Sequence, residues 1–259
     1  MEDAPRINAI AAPAPSVFPL RLGFLGVLTL DTRFPRPLGD IGNPASFPVP
    51  TLTRVVRGAG PRDAVQSADD QRAAGLFEPF CAATRQLEAE GAAAITTSCG
   101  FLVLLQQRLQ AAARVPVVTS SLTLLPGLLE AQRRVGVLTI SARHLSEAYL
   151  EAAGVPASRM ADVLVEGVDA DSPFVQSILG NEASLDFEAA ERDVVKAARR
   201  LAARAPDLTE LVLECTNMPP YAAAIQRATG LRCWSLLQCA GLLAPFAGST
   251  SGVLAGAVH

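Results

Sequence analysis

Apolar positions along the chain fall into two alternating kinds of run. Short continuous runs rich in β-branched residues, such as LRLGFLGVLTL at residues 20–30, AAAITT, VPVVTS and RVGVLTI, have the length and composition of strands buried on both faces. ADVLVEGV, ELVLEC and LRCWSL repeat that signature further along. Between them, apolar residues recurring every third or fourth position predict helices at 71–90, in FLVLLQQRLQAAA, and at 122–132, 143–153, 186–204 and 218–228. Strand, helix, strand order with right-handed crossovers predicts an α/β fold class, with two doubly wound parallel sheets facing each other. Asp31 to Pro61 is rich in proline and glycine apart from a short strand in TLTRVVRG, and so reads as a long functional loop beside the end of the first strand.

Ligands of such sheets sit at the carboxyl ends of the strands. Two of those ends carry cysteine. In AITTSCGF, Ser98 and Cys99 occupy the turn between a strand and a helix starting near Gly100. In LVLECTNMPPY, Cys215, Thr216 and Asn217 follow the strand, and Pro219 and Pro220 suit a helix's first turn. Free backbone N–H groups at such helix starts favour a thiolate and also bind carboxylates, so one geometry supplies a base and an anion clamp. Inverting a carbon beside a carboxylate needs proton removal on one face and proton return on the other, which two thiols can share.

Composition narrows the alternatives. A formal charge of −3 and 5% aromatic residues offer no basic face or stacking platform for nucleic acid. No apolar stretch approaches the ~20 residues of a bilayer span, and the acidic, proline-broken N-terminus does not resemble a signal peptide, so no membrane association and a cytoplasmic location are expected. Five cysteines without CxxC spacing suit reduced thiols. Lys196 is the only lysine and lies on an amphipathic helix, which argues against a pyridoxal-phosphate Schiff base. His144 and His259 are too few for a His-rich metal site. GxGxxG, GxxxxGK[ST] and GxSxG motifs are absent. Neither cofactor nor metal is expected.

The pair TTSCGF and ECTNMPPY, one in each half of the chain, resembles the aspartate/glutamate racemase superfamily, over roughly residues 20 to 247. That superfamily includes hydantoin racemases, arylmalonate decarboxylase and maleate isomerase. The resemblance implies two Rossmann-like lobes related by a pseudo-twofold axis, with the active site between them, one catalytic thiol from each lobe (Cys99 and Cys215), and a homodimer. It implies Ser98, Thr216 and Asn217 in carboxylate-binding turns, and points through the loop after the first strand to Thr29 and Asp31. Thr119, Ser120 and Thr139 stand at further strand ends. The expected division is a lead-in at 1–18, a first lobe from 19–120 with 236–259, and a second lobe at 121–235.

Each residue also has a plainer role open to it. Cysteine is often a small buried hydrophobe, and Cys81, Cys233 and Cys239 read that way on their helix or strand. Asp31 suits either a turn cap or a partner for a substrate ammonium, and Thr29, Thr119, Ser120 and Thr139 suit turn hydrogen bonds. His144 reads as solvated or capping, and either Arg33 or Arg36 suits a distal carboxylate.

In SCGF the residues after cysteine differ from the Asn-Thr of amino-acid racemases, and ECTNM differs from the Gly-Cys-Thr-His of glutamate racemases. Arylmalonate decarboxylase keeps only the second cysteine. Both thiols here favour a racemase or epimerase of an amino acid or related small carboxylate. A decarboxylase, a maleate-type cis–trans isomerase and a non-catalytic carboxylate-binding protein are the alternatives.

Overall fold

The computed structural model describes residues 23–247. The first sheet holds β1 (Phe24–Leu30), β2 (Thr51–Val56), β3 (Ala92–Thr97) and β4 (Val117–Val118), in the order β2-β1-β3-β4. The second holds β5 (Val135–Thr139), β6 (Val163–Gly167), β7 (Glu210–Leu213) and β8 (Arg232–Trp234), in the order β6-β5-β7-β8. Every pairing is parallel, and the two orders are the same order shifted by four strands. The fold is α/β, as the alternating pattern predicts, and each half repeats one topology.

β1 shows why its run is continuously apolar. Leu28 and Leu30 face a core shared by both sheets, while Leu25 and Val27 face the segment around Leu236, Cys239, Leu242 and Phe246. Both faces are therefore covered, as a central parallel strand requires. The stretch beyond β8 packs on the first sheet.

Some predicted elements are shortened. VPVVTS contributes only two strand residues, because Pro116 has no N–H and the outer edge is satisfied by side chains. Gln110 Oε1 accepts from the Val117 amide and Gln106 Oε1 from the Thr119 amide, both at 2.8 Å, which closes the edge to further pairing. FLVLLQQRLQAAA begins as a 3-10 turn over Gly100–Leu105 before becoming α-helical at Gln106–Ala112. The helix predicted from 143 begins at Glu147, after a hydrogen-bonded turn over Ser141–His144. Among the helices that periodicity left unassigned is Pro173–Leu179; the Ser172 side chain caps it and Pro173 opens it. The expected lead-in at 1–18 lies outside the described residues. Among the described residues, no helix is long and apolar enough to cross a membrane.

Candidate active site between the two sheets

A strand order of this kind has one switch point per sheet, between β1 and β3 and between β5 and β7, where the crossovers diverge and leave a crevice. Cys99 follows β3 and Cys215 follows β7. The backbone register makes them equivalent: Ser98 N donates to Leu28 O of β1, and Glu214 N donates to Leu138 O of β5, both at 2.9 Å. The residue before each thiol is thus tied to the matching central strand, and both thiols reach one pocket.

The lobes meet at this point through fixed contacts. Thr216 Oγ1 donates to Ser98 O at 2.6 Å, Ser121 Oγ to Leu213 O at 2.7 Å, and Ile41 N to Thr216 O at 3.1 Å. Phe101 packs edge-on against Tyr149 at 4.9 Å between centroids. Gly100 lies against Glu214, where a Cβ would collide with the Glu214 carbonyl and Oε1. The pocket they border is about 20 Å³, space for about one water molecule. Leu30, Pro61, Val65, Ile140 and Ile178 give it apolar walls.

Cys215 and Cys99 are both buried. The Cys215 thiol donates to Asn217 Oδ1 at 3.6 Å, and Asn217 Nδ2 donates to Asp40 Oδ2 at 2.6 Å. Asp40, 1% exposed, also accepts from the Gly42 amide at 2.7 Å and pairs with Arg36 Nη1 at 2.8 Å. Arg36 bonds Thr32 Oγ1 at 3.0 Å and lies over the Phe34 ring. A chain of polar contacts therefore runs from the long loop after β1 to the Cys215 sulfur. Removing one partner of the buried Arg36–Asp40 pair would cost about 3–5 kcal/mol.

The expectation that helix starts lower the thiol pKa values is overturned. Burial, reinforced by the neighbouring Glu214 charge, pushes Cys99 up to about 12 and Cys215 well above the ordinary thiol value. The amides of Phe101 and Leu102 at Cys99, and of Asn217 at Cys215, act in the opposite direction and are outweighed. The physical reason is that both helices open as short 3-10 turns carrying few aligned dipoles, inside a closed apolar pocket.

Glu214, absent from the sequence-based candidates, joins the two thiols and Arg36 as an ionisable group of the pocket. It is 1% exposed and follows β7 directly. Oε2 accepts from Thr139 Oγ1 at 2.7 Å, while Oε1 has no hydrogen-bond partner among the described residues. Burial pushes its carboxyl up to about 8, with the Thr139 hydroxyl and the Ile140 amide opposing. Its one signal in the sequence is an acid closing the apolar run ELVLEC. Arg36 and Asp40 had no periodic signal, lying in an irregular loop.

The structure brings Ser98, Cys99, Cys215, Thr216 and Asn217 together in the pocket, with Arg36 as the loop arginine that reaches it. Thr139 reaches Glu214, not the pocket itself. Four further candidates stand elsewhere. Thr29 is buried within β1. Asp31 bonds the Gly58 amide at 3.2 Å and its own carbonyl accepts from Asn181, so it shapes a turn. Thr119 bonds Gln106, and Ser120 caps the following 3-10 turn. Local backbone and side-chain partners satisfy Asp31, Thr119 and Ser120, and Thr29 is buried in its strand, so strand-end position alone did not make them pocket residues. His144 bonds Ser141 Oγ at 3.1 Å, Arg33 bonds Asn181, and Lys196 pairs with Asp169 at 2.9 Å. All five cysteines are free.

Residues 48–241 match the family described as Asp/Glu/Hydantoin racemase. The chain belongs to that family. Dimethylsulfoniopropionate lyase 7 of Emiliania huxleyi (strain CCMP1516) is 30% identical over 225 residues, 80% of this chain and 62% of the relative. A dimethylsulfoniopropionate lyase of Durusdinium sp. clade D is 29% identical, over 80% of this chain and 69% of its own length. The chain thus spans roughly three fifths to two thirds of these curated relatives. Among solved structures, arylmalonate decarboxylase superposes with a TM-score of 0.53 at 16% identity, over 88% of this chain and 93% of that one. Glutamate racemase from Thermus thermophilus does so at 0.53 and 19% identity, over 91% and 84%. These two structural likenesses establish the fold alone.

Proposed function

We propose that this family member is a lyase that removes the proton α to the carboxylate of a small β-onium carboxylate, with dimethylsulfoniopropionate as the first substrate to try. One observation carries the reading. Among the side chains lining the pocket, whose walls are mostly apolar, Glu214 Oε1 is the buried oxygen that has no hydrogen-bond partner. An ammonium brings three N–H donors and would leave buried donors unsatisfied there. A sulfonium brings methyl groups and a charge but no N–H, and fits apolar walls beside a carboxyl group. Asp31, which the sequence leaves open between a turn cap and an ammonium partner, bonds the Gly58 amide and shapes a turn. The named activity of the curated relatives points the same way.

In this reading Arg36 and the amides following the two cysteines receive the substrate carboxylate. A thiolate takes the α-proton, the C–H electron pair becomes the new C=C bond, and the C–S bond breaks with its pair leaving on sulfur. Acrylate and neutral dimethyl sulfide result, and the leaving group needs no proton. No step calls for an external oxidant or reductant.

A second reading, racemisation of a small carboxylate, is favoured by the equivalence of Cys99 and Cys215 across the two halves, since elimination obliges only one base. One experiment separates the two. The protein is incubated in deuterium oxide with dimethylsulfoniopropionate and, separately, with a panel of amino acids and hydantoins, followed by NMR. Acrylate formation supports the lyase. Deuterium in a recovered, inverted amino acid or hydantoin without elimination supports the racemase. Cys99→Ser and Cys215→Ser should then differ in severity for a lyase and be equally inactive for a racemase.

A further inference from the structure

We infer that Glu214 is a specificity-determining residue that pairs directly with the positive charge of the substrate, beside the two thiols. This rests on the reading of the site as one for a β-onium carboxylate. The geometry leaves this carboxyl unusually placed: buried in the pocket wall, one oxygen held by Thr139, the other without a hydrogen-bond partner and set against Gly100. A buried carboxyl oxygen without a hydrogen-bond partner is costly, so a carboxyl kept in that state needs a partner that is there only during function. Gly100, whose missing side chain makes room for Oε1, is a second residue shaped around the same group.

The charged and titratable groups facing Glu214 supply no such partner. Cys99 and Cys215 are neutral thiols, and Tyr149 donates its hydroxyl to Gln66 O at 2.7 Å. Arg36, the cation lining the pocket, is neutralised by Asp40. The remaining neighbours are the Thr139 hydroxyl and the Ile140 amide, which hold the carboxyl but bring no charge. A cation in the pocket would therefore meet one acid with no competing counter-ion.

Charge balance sets the consequence. Below about pH 8 the free protein carries Glu214 as the neutral acid. When the onium group binds, the carboxyl proton leaves to solvent and a carboxylate–onium pair remains. Glu214 is neutral before binding and charge-paired afterwards, so at neutral pH it adds no net negative charge beside the two thiols in either state.

The test compares β-alanine betaine with its carbon isostere, in which a tert-butyl group replaces the trimethylammonium group, by calorimetry in buffers of different ionisation heat. The wild-type protein should bind the betaine at least about tenfold more tightly. Affinity for the betaine should rise with pH up to about 8, with close to one proton released per betaine bound at neutral pH. Glu214→Gln keeps the size and the Thr139 contact; it should lose both the preference and the proton release, with the isostere bound as before. Retention of the preference in Glu214→Gln, or betaine binding without proton release in the wild type, overturns the assignment. The wild-type proton count needs no variant to fold. Turnover of dimethylsulfoniopropionate without a betaine preference rejects the role of Glu214 and leaves the lyase. A betaine preference without turnover does the reverse.

Discussion

At Glu214 a single carboxyl couples the stability of the fold to pH. Its folded value near 8 stands above the ordinary 4.5, so between those values the folded state holds a proton that the unfolded chain has lost. The contribution is fully present below the unfolded value and disappears as pH rises through the folded one. Unfolding free energy should therefore fall by up to about 1.4 kcal/mol per pH unit across this window and level off above it. Urea unfolding from mildly acidic to mildly alkaline pH measures this, and Glu214→Gln should flatten the slope. Gly100 sits on the other side of the same contact. Gly100→Ala forces a Cβ onto Glu214 backbone and carboxyl atoms, with an expected cost of about 1–3 kcal/mol and a fall in kcat/KM. An unchanged urea midpoint would show that the lobes can separate there without penalty. The thiols also titrate upward, so alkylation of Cys99 and Cys215 by iodoacetamide near neutral pH should be slower than that of an ordinary cysteine. Mass spectrometry of the labelled peptides reads this directly.

Two irregular segments decide how the site closes. The loop after β1 delivers Arg36 and Asp40, and the turn after Pro173–Leu179 delivers Asn181. Among the described residues, Asn181 is the one non-glycine at positive φ, 52°. It ties the lobes together: its Oδ1 accepts from Arg33 N at 2.7 Å, its carbonyl accepts from Arg33 Nε at 3.0 Å, and its Nδ2 donates to Asp31 O at 3.1 Å. Leu30 and Phe34 flank one side of this latch and Ile178 the other, and all three line the pocket. Asn181→Gly keeps the left-handed backbone and removes the two side-chain bonds; Asn181→Ala removes the bonds and adds backbone strain. Both should loosen the mouth and raise KM, and Ala should be the less stable by about 1 kcal/mol. Equal stabilities would show that the turn relaxes freely. Little of this was legible from the chain. Periodicity identifies strands and long helices because their contacts repeat, whereas Asp40, Asn181 and the short helix before it make single contacts with residues far away in sequence.

For the molecule as a whole, a pocket of about 20 Å³ is smaller than a small carboxylate, so a ligand has to widen it on entry. A small onium carboxylate at about a hundredfold excess over its Kd should stabilise the protein by about 2.7 kcal/mol, a rise of about 2–4 °C in Tm for each kcal/mol in a chain of this size. Aryl-substituted malonates should give no such shift, since an aryl ring demands far more room between the apolar walls than a pocket of about 20 Å³ provides. Thermal unfolding with each ligand class reads both outcomes. A larger shift with the aryl acid would place the substrate class nearer the decarboxylase.

The chain by itself determined the alternation of buried strands and helices, the repetition of one α/β unit, and the position of a cysteine just past a strand in each half. These follow from local periodicity and from strand-end chemistry, which neighbouring residues carry. Only the tertiary structure decided that the two turns share one pocket, that Thr29, Asp31, Thr119 and Ser120 do not line it, and that Glu214 stands beside the thiols. It also reversed the sign of the thiol pKa shift. A helix start seen alone favours a thiolate, but burial depends on what the other lobe lays over it, and desolvation in a closed apolar pocket outweighs a few backbone amides.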